Sequence, residues 1–107
     1  MAKGNYVYRA PASTSGALIT PAPDERIYLK WITVNVWTVG TGIALTDGVA
    51  GPVVARLGTT VVNASMQWLY YTGARQYDGN PLAVGAPLQI VVTGGGSVDL
   101  DIGYEIR

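Results

Sequence analysis

Asp99, Asp101 and Glu105 are the second, fourth and eighth residues of the segment VDLDIGYEI, and residues two apart on a strand face the same way. Carboxylates in such a row could hold a divalent cation through oxygen ligands, or work as a paired general acid and base. Neither an EF-hand spacing nor an oxygen-rich loop accompanies them. The row therefore reads as the solvated outer face of a strand, whose charges deter edge-to-edge pairing. Other chemistries fall to elimination. The chain has no histidine and no cysteine, which removes the histidine-based serine triad, thiolate nucleophiles, disulfides and the usual transition-metal ligands. Lys3 and Lys30 sit in no recognisable Ser-Lys arrangement, and the glycines of VGTGIALTDG lack the Gly-Lys-Ser/Thr of a phosphate loop. The expectation is a protein that is not an enzyme and carries no cofactor and no metal.

Aromatic residues are the more suggestive group: Trp31, Trp37 and Trp68, with Tyr6, Tyr8, Tyr70, Tyr71 and Tyr77, in a chain without phenylalanine. Trp and Tyr join a large apolar body to a polar handle, which suits interfaces and sugar-stacking platforms. Core packing is the expectation for the tryptophans. Tyr71 and Tyr77 flank or lie in the loop YYTGARQYDGN, and with Arg75 they form a candidate partner-contact patch.

These residues sit in a chain of 107 residues, one domain in size, of which 13% are charged, about half the usual fraction. Seven basic and seven acidic side chains cancel. So sparse a charge resists association poorly, which points to a surface covered by copies of itself or by a larger assembly. With no basic patch, phosphate-backbone binding is not expected, so nucleic acid is not an expected partner. Neither is a membrane, for no eighteen apolar residues run together and MAKGNYVYRAPAS has no signal-like apolar run. Asn63-Ala64-Ser65 is formally a glycosylation sequon, with no secretion signal to make it usable.

The elements that must position these residues are strands. RIYLKWITVNVWT, 26–38, is rich in β-branched and aromatic residues and lacks a helical period. Its alternation shifts parity between Leu29 and Ile32, which predicts a bulge near Lys30 or Trp31. GIALT, the Asp47-Gly48 turn and the segment 52–57 read as a hairpin. One or two strands are expected over 59–71. The stretch TGARQYDGNPLAVGAP is expected to be irregular. PLQIVVT and the closing strand, joined by Gly94-Gly95-Gly96, are expected to form an antiparallel hairpin. Near the start, 6–9 and 17–20 are short extended pieces separated by APASTSG. The result is an all-β chain, an antiparallel two-sheet β-sandwich, jelly-roll-like, with residues 15–107 as one domain and 1–14 as an N-terminal arm or edge strand.

So arranged, the chain resembles small β-sandwich structural proteins of tailed bacteriophages, especially head decoration or cement proteins. The resemblance lies in the succession GALITPAPDERIYLKWITVNV, TGIALTDGVAGPVVARLG, MQWLYY and GAPLQIVVTGGGSVDLDIGYEI, over residues 15–107. It implies a non-enzymatic virion protein, made in the host cytoplasm, that binds the capsid exterior. The partners it implies are the major capsid protein and further copies of itself, as a trimer or dimer. Tyr6 and Tyr8, ahead of APASTSG, would then belong to an arm that pairs with a neighbour's sheet; the alternative is an edge strand of the chain's own sandwich. A rival function is a carbohydrate-binding β-sandwich module that stacks sugars on Trp68, Tyr70, Tyr71 and Tyr77.

Overall fold

The structure, a computed structural model, describes residues 2–36, 42–58, 64–69, 71–72, 75–76, 79–94 and 96–107, with backbone alone for 36, 57–58, 64–69, 71–72 and 75–76. Among the described residues every regular element is a strand: β1 (Gly4–Ala12), β2 (Gly16–Ile19), β3 (Ile27–Val36), β4 (Gly42–Asp47), β5 (Val53–Gly58), β6 (Ala64–Leu69), β7 (Tyr71–Thr72), β8 (Arg75–Gln76), β9 (Asn80–Pro81), β10 (Leu88–Thr93) and β11 (Val98–Ile106). They build two packed antiparallel sheets, a β-sandwich. One runs β1-β11-β3-β6, with β9 added beside β3, and the other runs β2-β10-β4-β5.

Alternation along each strand decides what meets in the middle. Val98, Leu100, Ile102, Tyr104 and Ile106 of β11 face inward beside Ile27, Leu29, Ile32 and Val34 of β3. Across from them lie Ile19, Ile43, Leu45, Ala55, Leu88 and Ile90 of the second sheet, and Leu82 closes one end. β-Branched and leucine side chains fill such an interface because they stand stiffly off a pleated surface. The parity shift in β3 is resolved by a bulge: Gly103 pairs with Trp31 but Tyr104 pairs with Leu29, leaving Lys30 as the extra residue. That insertion lets Leu29 and Ile32 both point inward.

β4 and β5 form the expected hairpin through Asp47-Gly48, where Gly48 takes a φ of 83°. Two expectations are corrected. β10 and β11 do not pair; β10 belongs to the sheet of β2 and β4, and β11 to the sheet of β1 and β3. Both strands bury their alternate residues, and that pattern is satisfied equally by facing each other across a core, which is what happens here. The stretch 72–87 is also not wholly irregular. β7 pairs with β8, and β9 adds two residues to the edge of β3, where Leu82 follows as a core plug.

β1 lies in register with β11 from Gly4 opposite Ile106 to Ala12 opposite Val98, as an edge strand of its own sheet.

Candidate functional site: an apolar tip and an open sheet face

Two surfaces stand out. At one end of the sandwich three loops, 20–26, 48–52 and 82–87, are tied together by hydrogen bonds. The Asp47 carboxylate accepts from the Ala83 N–H, at 3.1 and 3.2 Å to its two oxygens. Gly48 N–H donates to the Pro87 carbonyl at 2.9 Å, and Gly85 N–H to the Glu25 carbonyl at 2.7 Å. Glu25 is itself buried and closes a reciprocal pair with Ala22: its N–H donates to the Ala22 carbonyl while its carboxylate accepts from the Ala22 N–H at 2.8 Å. That hydrogen bond is the main reason its carboxyl is held below the usual range. Gly85 is required at its position, since its φ is 73° and a Cβ would come within 2.9 Å of the Pro23 carbonyl oxygen.

Loop 20–26 exposes Thr20, Pro23 and Asp24, whereas what loops 48–52 and 82–87 present outward is apolar. Val49 is 77% exposed, Val84 56% and Val53 45%, beside exposed Ala50, Pro52 and Ala83. Turns ordinarily carry polar residues at such positions, so valines held out on a fixed backbone make this a candidate contact surface. The sequence reading missed them. Their signal was there in VAGPV and LAVGAP, where Gly and Pro fix the turns and the residues between are apolar.

The second surface is the outward face of the β1-β11-β3 sheet. Asp101 pairs with Arg9 at 2.8 Å, and Glu105 with Lys30 at 3.2 Å and Arg107 at 2.9 Å. The acidic row is thus interleaved with cations across strands. The hydrogen bond from Arg107 is the principal cause that lowers the Glu105 carboxyl below its ordinary value, assisted by Lys30. The Arg107 guanidinium also lies 3.9 Å from the centre of the Tyr28 ring, a cation–π contact. Among the described residues no group of three or more carboxylates gathers at metal-ligand spacing. Two hollows lie along this face. One, of about 330 Å³, is lined by Asn5, Val7, Lys30, Trp31 and Gly103; the other, of about 340 Å³, is bounded by Arg9, Thr33, Asn35, Asp99 and Asp101.

Trp31 corrects the expectation that the tryptophans pack in the core. It is half-buried on the outer face, because the bulge at Lys30 puts it on the parity opposite to Leu29 and Ile32. Tyr6 and Tyr8 face inward and pack against the core, Tyr6 stacking on Tyr104 at 5.4 Å between ring centres. The residues that β1 turns outward are Asn5, Val7, Arg9 and Pro11. Tyr71 and Arg75 fall in β7 and β8, described for backbone alone, and Tyr77 lies outside the described residues, as do Trp37 and Tyr70; Trp68 lies in β6, again backbone alone.

Fold and surfaces together define a small all-β sandwich with a braced apolar tip. No family model matches the chain, and comparison with curated proteins and with solved structures finds no match either.

Proposed function

We propose that this protein is a non-enzymatic structural component of a phage virion, which decorates or cements the capsid by binding its outer surface. The observation that carries the reading is the tip formed by Val49, Val53 and Val84. Apolar side chains held out on hydrogen-bonded loops bind with little ordering cost, so a modest contact area suffices when many copies bind a lattice. The neutral, sparsely charged composition supports the same reading. So does the strand order. Counting the eight strands of four residues or more among the described residues, the sheets run 1-8-3-6 and 2-7-4-5, an order that supports a jelly roll, an architecture used by viral capsid and lectin domains. Architecture alone does not fix activity, so the weight rests on the tip.

In this reading the tip seats on the major capsid protein across subunit boundaries, so that separating two subunits also breaks decoration contacts. The protein acts as a trimer or dimer on the capsid exterior. The test is solution mass by light scattering over a range of concentration, followed by co-sedimentation with empty heads assembled from candidate major capsid proteins. Expected are a defined oligomer or saturable pelleting with heads. A concentration-independent monomer that stays in the supernatant would overturn the proposal.

A further inference from the structure

We propose that the outward face of the β1-β11-β3 sheet is a saccharide-binding groove in which Trp31 is the stacking platform. The proposal is independent of capsid attachment, which uses the tip.

The geometry begins at Gly103, the register partner of Trp31. A Cβ built on Gly103 would fall within 2.8 Å of three atoms that span the pyrrole ring of Trp31, Nε1, Cε2 and Cδ1. Only a ring lying face-on over the glycine brings all three so near; an edge-on ring would reach it with one atom. One face of the indole is therefore laid on the sheet and the other is turned away from it. That arrangement explains why Trp31 is half-buried and not enclosed. Covering a cross-strand glycine is a packing role that an aromatic side chain serves, and here the same ring places an aromatic surface on the polar outer face.

The surroundings select the ligand. From Lys30 to Asn35 the face extends roughly 16 Å along the strand, and the two hollows of about 330 and 340 Å³ follow one another along it, each within the size range of small-molecule sites. The indole's own hollow is lined by Asn5, Val7 and Lys30, and farther along the strands Thr33, Asn35, Asp99, Asp101 and Arg9 line the second, which together offer hydroxyl, amide, carboxylate and guanidinium. Carboxylates on the floor repel phosphate and so disfavour a nucleotide. A pyranose fits, because its C–H face stacks on an aromatic plane while its hydroxyls both donate to carboxylates and accept from amide or guanidinium groups. The Arg9–Asp101 pair is well exposed, 75% and 38% for the two side chains, so it can turn toward a ligand at little cost. The groove is open and lengthwise, which suits a short neutral oligosaccharide more than a free monosaccharide.

The test is binding of four neutral hexasaccharides, of β-1,4-glucose, α-1,4-glucose, β-1,4-mannose and β-1,4-N-acetylglucosamine, to the full chain. The readouts are ligand-observed NMR and the indole N–H signal of Trp31, assigned through Trp31→Phe. Expected is a Kd at or below about 1 mM for at least one of them, with the Trp31 signal shifted. Trp31→Ala should weaken that binding at least about tenfold, and Trp31→Tyr, which keeps a stacking face, should stay within about threefold. Asn35→Ala, an exposed position that leaves the platform in place, should weaken binding while the circular dichroism stays unchanged; it keeps the proposal open to failure if Trp31→Ala does not fold. Absence of binding by all four sugars to the native chain overturns the proposal, as does binding that Trp31→Ala and Asn35→Ala leave intact. Neither result touches the pelleting assay with empty heads.

Discussion

At the scale of single residues, the contact between Gly103 and Trp31 is the most exacting. Gly103 has no left-handed backbone to protect, so the cost of adding a side chain there comes from the indole. Gly103→Ala is expected to destabilise by about 1–3 kcal/mol, as an overpacked site does. In a Trp31→Ala background the same change should be neutral or stabilising. Urea unfolding of the four proteins, read as a double-mutant cycle, checks this; equal costs in both backgrounds would show that the ring does not lie on the glycine. Two carboxyls make a second residue-scale prediction. Glu25 and Glu105 are both held below their ordinary values, by the Ala22 N–H and by Arg107 respectively. A carboxyl with a depressed folded value stabilises above its unfolded value, about 4.3, and loses that contribution as pH falls through the folded value. Stability should thus be level from about pH 5 upward and decline below about pH 4.3, and Glu105→Gln should flatten the decline. At the alkaline end burial raises the Tyr104 phenol, with Tyr6 adding to it. Its contribution is present below the unfolded value and lost as pH rises through the folded one.

Among the elements, the hairpin of β4 and β5 and the loop before β10 behave as one braced unit, and its weak points are nameable. Ala50 is a non-glycine residue in the left-handed region, with φ of 55°. Ala50→Gly is expected to stabilise by up to about 1 kcal/mol, and Ala50→Val to destabilise by more than that. Asp47→Ala removes the acceptor of the Ala83 N–H and should cost about 1–3 kcal/mol, with faster hydrogen exchange at Ala83 and Gly85 as the local sign. Much of this layer was legible in the sequence. The bulge in β3 follows from the parity shift between Leu29 and Ile32, and the β4–β5 hairpin from Asp47-Gly48. The pairing of β10 was not legible, because a strand that buries alternate residues has the same pattern whether its neighbour lies beside it or across the core. β9 escaped for a different reason: Asn80 and Pro81 carry turn-like composition, and it is the free edge of β3 that recruits them.

For the whole molecule, the consequence of the virion reading is that folding and attachment should separate cleanly. Val49→Glu combined with Val84→Glu changes exposed residues only, so stability should stay within about 0.5 kcal/mol per site while pelleting with empty heads is lost. Retained pelleting would move attachment away from the tip. Several properties were fixed by sequence alone: an all-β chain, no histidine- or cysteine-based chemistry, near-zero net charge, and the alternation that makes β11 a core strand. Each depends on residue type or on a period of two, and both are local. The tertiary structure decided the rest. It set which sheet β10 and β11 join, the outward placement of Trp31 over Gly103, and the inward turn of Tyr6 and Tyr8. It also brought the loop of Val84 beside the hairpin that carries Val49 and Val53, through bonds such as Ala83 N–H to Asp47. Those outcomes depend on register between strands remote in sequence and on long-range hydrogen bonds such as that from the Ala83 N–H to the Asp47 carboxylate, which no local pattern encodes.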